Sequence, residues 1–270
     1  MKLGVTLPSF QRAPEQAIVV ARAAEAAGLD GVFCYDHLFR VGADGRHRPA
    51  LDVTALLGAV AAATTRIWIG TLVARASLRP PATLEVGLET VARLAPGRLI
   101  VGVGSGDSES QQEQRAFGLR GTTVRDRVEA LQGAVAALRG HNFPVWVGGT
   151  SSAVRRVAAR ADGWNRWGST PARFARELAS LDVAGRPDFT PSWGGLVAVD
   201  EDLDPAAVRA GRRPDTIAGG PDEVAARLRA YVSAGARWLV LGPLDASDEG
   251  QARRLGEEVA PRLRAALGSS

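Results

Sequence analysis

At 270 residues, 46% hydrophobic and 23% charged, the chain has the composition of a globular protein with a sizeable core and room for one large α/β domain or two small ones. Its net charge of +4 rests on 33 basic residues of which Lys2 is the only lysine, and the arginines are scattered along helical stretches (Arg155-Arg156, Arg227, Arg229, Arg253-Arg254) instead of gathered on one face. That spread argues against nucleic-acid binding and favours an anionic small molecule as ligand.

No run approaches the roughly 20 apolar residues of a membrane span. Met1-Lys2-Leu3-Gly4 begins no secretory signal, and the single Cys34 can form no internal disulfide. A soluble, cytoplasmic protein is expected.

In chain order, Lys2–Leu7 reads as a strand stopped by Pro8, and Pro14 opens a helical spacing (Ile18, Val20, Ala21, Ala24, Ala27) that ends at Gly28. A buried strand through Val32-Phe33-Cys34 runs into the abrupt pair Asp36-His37. Arg40–Arg48 is polar and Gly-containing, hence a loop. Asp52 or Thr54 can cap a helix running to about Ala63, before strand Ile67–Leu72. Pro80-Pro81 opens a helix that Pro96-Gly97 ends, and strand Leu99–Val103 follows.

Beyond it come a helix over Thr122–Leu138, strand Pro144–Val147, helix Ser152–Ala161, strand Gly163–Asn165, helix Pro171–Ala184 and strand Trp193–Val199. After an irregular Asp200–Gly220, helix Asp222–Ala234, strand Ala236–Leu241 and helix Gln251–Leu267 close the chain.

Each of eight strands is thus followed by a helix. The helix-to-strand turns repeat (Ala27-Gly28, Pro96-Gly97, Asp162-Gly163, Ala234-Gly235), glycine being favoured just past a helix end. Strands alternating with helices imply right-handed crossovers and a parallel sheet, and eight units in about 250 residues is the size of a TIM (β/α)8 barrel. One α/β domain over residues 1–270 is expected; an open doubly wound sheet is the alternative. In a barrel the carboxyl ends of the strands form the active face.

Several motifs fall there. Gly102-Val103-Gly104-Ser105-Gly106-Asp107 lacks the third glycine of a dinucleotide fingerprint, so its glycines read as room for a close backbone or a flat ligand. The polar run Asp107–Glu113 reads as a loop. Gly148-Gly149-Thr150-Ser151-Ser152 joins a strand to a helix and suits a phosphate, although an ordinary N-cap has the same appearance. His37, His47 and His141 lack metal-ligand spacing, so no metal is expected. His37 can exchange a proton near neutral pH or serve only structurally; strict alternation sends Asp36 and His37 to opposite faces, so both meet one ligand only if the chain bends. Phe10, Tyr35, Phe39, Trp164, Trp167 and Trp193 crowd the same end, as core or as the wall of an apolar pocket.

Taken together, Lys2–Pro8, Ala23–Leu38, Thr65–Val73, Arg93–Gly106, Pro144–Gly149, Ala158–Asn165 and Gly220–Leu241 resemble, in order, the luciferase-like monooxygenase superfamily on its coenzyme F420 (deazaflavin) branch. The resemblance implies an F420-dependent oxidoreductase that moves a hydride between the deazaflavin C5 and a small organic substrate at the barrel mouth. By the family pattern Asp36 contacts the coenzyme, and His37 is the proton donor or stabiliser. A non-proline cis peptide at Leu72-Val73 lies under the ring. Asp107 stands in the place of a catalytic Glu, with Ser105, Gly106 and Ser110 beside it, and Gly148 and Gly149 contact the coenzyme phosphate. Phe10, Phe39, Trp164 and Trp167 would wall the substrate pocket.

Departures qualify the carry-over. Val41 stands where a Trp is usual, Asp107 is one methylene shorter than Glu, and the lysines that hold a sugar phosphate are absent, which makes glucose 6-phosphate a poor substrate guess. The chain is also short for the family, which puts an insertion shielding the pocket in doubt. An FMNH2-dependent monooxygenase of the same fold, or a non-catalytic flavin-binding barrel, is the alternative. The expected partners are a small-molecule substrate and, in assembly, a second copy as homodimer; neither nucleic acid nor membrane is expected.

Overall fold

The computed structural model describes residues 1–10, 13–41, 47–106, 110–119, 121–210 and 215–268. Its elements run β1 (Lys2–Thr6), α1 (Glu15–Ala26), β2 (Gly31–Cys34), β3 (Phe39–Val41), β4 (His47–Pro49), α2 (Val53–Ala63), β5 (Trp68–Arg75), α3 (Pro81–Leu94), β6 (Leu99–Gly104), α4 (Ser110–Ala116) and α5 (Val124–Leu138). There follow β7 (Val145–Gly148), α6 (Ser152–Ala158), β8 (Gly163–Trp167), α7 (Pro171–Ala179), β9 (Thr190–Val199), α8 (Pro205–Ala210), β10 (Ile217–Gly219), α9 (Pro221–Ser233) and β11 (Trp238–Pro243). The closing helix is α10 (Glu249–Arg254), a π-helical turn over Leu255–Val259, and α11 (Ala260–Gly268).

Parallel pairing runs β9-β11-β1-β2-β5-β6-β7-β8, and β8 pairs with β9 in turn, closing the expected eight-stranded TIM barrel. The inner strands read as near-continuous apolar runs because helices cover the outside and side chains fill the inside. The main core is the layer between barrel and helices, with Leu3, Val5, Val32, Ile69, Val101 and Leu239 among its fully buried members. A smaller cluster of Phe33, Leu72, Ile100, Trp146, Trp238 and Val240 plugs the barrel interior. Phe33 stacks on Trp146 (centroids 6.0 Å apart) and meets Trp238 edge-on at 5.7 Å. Those three rings close the lower half of the barrel, so any cavity must open at the carboxyl ends of the strands.

Four segments differ from the sequence reading. The span Arg40–Arg48, expected as a loop, contains the antiparallel pair β3–β4, held by stacking of Phe39 on His47 at 4.4 Å. The irregular Asp200–Gly220 contains α8 and β10, and β10 pairs with the outer half of the long β9 at Val197–Val199. The polar run expected as a loop contains the start of α4. Strand β5 continues three residues past Leu72 to Arg75. No helix among the described residues is long and apolar enough to cross a membrane.

Candidate active site

The carboxyl ends of the strands open into one cavity of about 1220 Å³ above the aromatic plug. Its floor is set by β5. The Leu72-Val73 peptide is cis, and the β5–β6 register slips between Thr71 and Ala74, so the strand bulges inward. The bulge carries Val73 across the barrel onto β6 and β7, where Gly104 and Gly148 face it. A Cβ on Gly148 would lie 2.6 Å from Val73 Cγ1, and one on Gly104 would lie closer still to Cγ2. Only glycine leaves room for the bulge at these two positions, and the result is a shallow apolar shelf.

Aromatic rings form one wall: Phe10 stacks on Tyr35 at 6.1 Å, and Tyr35 meets Trp167 edge-on at 6.0 Å. Burial pushes the Tyr35 hydroxyl up to about 12, against the opposing pull of Thr6 and Arg40, so it stays a neutral phenol.

A chain of charges crosses the rim beside this wall. After Cys34 the chain leaves the sheet, and both Asp36 and His37 reach the cavity lining. Asp36, 2% exposed, accepts at Oδ2 from the Arg75 amide (2.9 Å) and from Arg79 Nη1 (2.7 Å); its carbonyl accepts from Arg75 Nε at 2.8 Å. Glu113 reaches in from α4, its Oε2 accepting from Arg75 Nη2 (2.7 Å) and the Leu38 amide (2.9 Å). Its Oε1 lies 2.7 Å from His37 Nδ1, and the imidazole, 32% exposed at its side chain, leans on Phe10 at 5.3 Å. The chain therefore reads Arg79, Asp36, Arg75, Glu113, His37.

Burial works to raise the Glu113 carboxyl, but hydrogen bonds from His37 and the Leu38 amide, with the charges of His37 and Arg75, outweigh it and hold the group below its ordinary 4.5. A carboxylate offers only lone pairs, so Nδ1 of His37 must carry the hydrogen. Nε2 is then the ring nitrogen left for a ligand, free to take or give a proton.

The sign of the linkage follows from the lowered folded value. Glu113 contributes stability that is fully present above its unfolded pKa and is lost as pH falls through the folded one. Below about pH 5, wild type should lose Tm more steeply than Glu113→Gln, and parallel acid limbs in thermal melts would refute this.

Most of the residues expected from the sequence meet in this cavity. Phe10, Phe39, Leu72, Val73 and Trp167 line it, as do Ser105, Gly106, Gly148, Gly149 and His37. Asp36 lines it too, with its Oδ2 held by the Arg75 amide and Arg79. Trp164 is a correction. It is fully buried in the outer core, stacked on Phe174 at 5.7 Å, and its Nε1 donates to the Gly149 carbonyl at 2.8 Å. Alternation along β8 turns Asn165 and Trp167 inward and Trp164 outward, where it props the Gly148-Gly149 turn from behind.

Trp193 is likewise outer core, stacked on Tyr231 at 3.8 Å. Asp107 lies outside the described residues, and so does the side chain of Ser110, although its backbone begins α4. Ser151 of the expected phosphate turn caps α6, accepting from the Val154 amide at 3.2 Å.

Sequence reasoning missed Glu113, Arg75 and Arg127. The first sat in a run of polar residues indistinguishable from a solvated loop until α4 gave it a direction. Among the described residues no group of His, Cys, Asp and Glu could hold a metal.

The chain is similar to known proteins. The sequence model of a family described as luciferase-like monooxygenase matches residues 1–214. An F420-dependent glucose-6-phosphate dehydrogenase from Beutenbergia cavernae is 28% identical over 336 aligned positions that cover 98% of each chain. Among solved structures, an F420-dependent secondary alcohol dehydrogenase in complex with an F420-acetone adduct superposes with a TM-score of 0.79 at 19% identity, covering 97% of this chain and 99% of its own. A riboflavin lyase with modified FMN and riboflavin gives 0.78 at 15% identity, covering 99% and 92%. At these identities the structural likeness speaks for the fold alone.

Proposed function

Because the chain belongs to the luciferase-like monooxygenase family, we propose that it is a coenzyme F420-dependent oxidoreductase acting on a small organic substrate. The observation that carries this reading is the His37–Glu113 pair facing the cavity beside the Leu72-Val73 shelf. When bound, the deazaflavin would supply the hydride acceptor or donor at C5. The shelf, flat because Gly104 and Gly148 admit Val73, fits a planar tricycle, and about 1220 Å³ leaves space for a second molecule above it. Ser105-Gly106 and Gly148-Gly149 line the part of the cavity where the coenzyme's polar tail would lie.

The chain's own residues would then do three things. Phe10, Tyr35 and Trp167 exclude water from one side of the substrate. The shelf fixes the ring plane, so that two carbons are held in reach of each other; such positioning is the larger share of a hydride transfer whose chemistry belongs to the cofactor. His37 Nε2 moves the proton: as the substrate carbon gives up a hydride with both bonding electrons, the hydroxyl on that carbon passes its proton to the imidazole, and the carbonyl forms. The reverse reaction returns both. Glu113 keeps the imidazole in the tautomer this needs. Glucose 6-phosphate is the substrate in the name of the bacterial relative, but Lys2, remote from the cavity, is the chain's only lysine, so a sugar phosphate here would have to be held by arginine. We include in the proposal one domain over residues 1–270 and a cytoplasmic location.

The test is parallel titration of the purified protein with F420 and with FMN, followed by tryptophan fluorescence. Saturable F420 binding at one per chain is expected. Tight FMN binding without F420 binding, together with oxygen uptake dependent on reduced FMN, would replace this reading by the monooxygenase one; binding without any turnover would leave a non-catalytic barrel.

A further inference from the structure

We propose that Arg127 is an anion anchor inside the cavity, holding a phosphate or carboxylate oxygen of the bound ligand beside the Ser105-Gly106 turn. Arg127 stands on α5, lines the cavity and is only 8% exposed. Its Nη1 donates to the Thr122 carbonyl at 3.0 Å, and among the described residues no carboxylate forms an ion pair with it, Asp126 acting only as a neighbouring charge. A guanidinium taken this far out of water normally faces an anion, because burial of an uncompensated charge is costly.

Among the described residues that line the cavity, the charges do not cancel. Asp36 is matched by Arg79, and Glu113 is shared by Arg75 and His37. Arg40, whose guanidinium lies 5.6 Å from the Phe10 ring centre, and Arg127 are left over as cations. Arg40 is exposed and can use water. Arg127 is largely buried and lines the cavity, so its charge sits where a ligand would displace water.

The surroundings are shaped for a compact anion. Gly106 has φ +67°, and a Cβ placed on it would lie 3.6 Å from Arg75 Cδ, 3.7 Å from Ser77 Oγ and 4.0 Å from Arg127 Cδ. Two arginine stems and a hydroxyl thus converge on one turn whose backbone only glycine adopts easily. Arg75 Nη1 is itself buried without a hydrogen-bond partner among the described residues. Arginine suits such a role because its rigid fork matches two oxygens of a phosphate or carboxylate.

The anion has two sources, the phosphodiester and carboxylate tail of the coenzyme or an acid group on the substrate. The first rests on the F420 reading and the second does not. The full-length protein would be titrated with F420, with its uncharged chromophore 8-hydroxy-5-deazariboflavin, and with inorganic phosphate, as wild type, Arg127→Met and Arg127→Lys.

If the tail is the anion, Arg127→Met weakens F420 binding on the order of tenfold to a hundredfold, Arg127→Lys recovers part of it, and the uncharged chromophore binds all three alike. If the substrate carries it, F420 affinity is unchanged and the coenzyme-loaded wild type binds phosphate that Arg127→Met does not. Either result supports the anchor and names the source. Unchanged binding of every probe, or equal weakening of F420 and the uncharged chromophore, reduces Arg127 to packing and overturns the proposal.

Should Arg127→Met fail to fold, the wild type's salt response decides. F420 or phosphate affinity must fall with added KCl while that of the uncharged chromophore does not, and a flat response overturns the proposal. If wild type binds neither F420 nor FMN, the cofactor reading fails by itself. Phosphate binding to the unliganded protein, lost in Arg127→Met or retained, still decides the anchor.

Discussion

Replacing His37 with Ala is expected to lower kcat by about 10²- to 10⁴-fold while changing the Kd for F420 by no more than a few fold, the signature of a lost proton-transfer group. The imidazole reaches the cavity through one ring edge, and its other nitrogen is tied to Glu113 at 2.7 Å, so it has little part in holding the coenzyme on the shelf. Glu113→Gln should fall part of the way toward His37→Ala for a different reason. The amide can present its NH2 to Nδ1, which reverses the tautomer and leaves Nε2 as donor only.

That variant keeps the shape of the side chain, so its effect should appear as an altered pH–rate profile with KM nearly unchanged. The measurement is the rate of F420 reduction by an alcohol that a substrate screen identifies, for wild type and both variants. A His37→Ala enzyme within threefold of wild-type kcat would remove His37 from the reaction and give weight to the non-catalytic reading.

The barrel was readable because its signal is repeated and local. Each unit carries an apolar strand and a helix, and half of them a glycine at the helix-to-strand turn, so errors of two or three residues at Asn165 and Leu72 do not disturb the count. The mouth of the barrel obeys no such repetition. Phe39 and His47 make a hairpin by stacking across a segment that reads as polar loop. Trp164 and Trp167 look alike in sequence, yet three positions along one strand put them on opposite faces, one in the outer core and one in the cavity.

Asp36 and His37 escape that rule: past Cys34 the chain leaves the sheet, strand alternation no longer applies, and both residues line the cavity. Glu113 and Arg127 were invisible for a further reason. What marks them is burial and the absence or presence of an opposite charge, and both depend on how α4 and α5 dock, which no local pattern encodes.

Asp36→Ala should be the most destabilising change at the site. It removes a carboxylate whose side chain is 1% exposed and leaves the Arg75 amide and one arm of Arg79 unpaired. Breaking a buried ion pair from one side costs about 3–5 kcal/mol. Arg79 is 20% exposed and keeps Asp52 at 3.0 Å, so the lower end applies, about 3 kcal/mol, or a Tm fall of roughly 6–12 °C for a chain of this size. Asp36→Asn retains an acceptor for the Arg75 amide and should lose about half as much.

Activity should fall with stability, because Arg75 connects Asp36 to Glu113 and hence to His37: loosening the first link lets the imidazole wander from the ring face it must meet. Thermal melts and F420 titration of the same samples separate this account from the one the sequence suggested. A support loses Tm and kcat while F420 affinity changes little. A direct coenzyme contact would do the reverse, leaving Tm near wild type and abolishing binding, and that outcome would restore Asp36 to the coenzyme's surface.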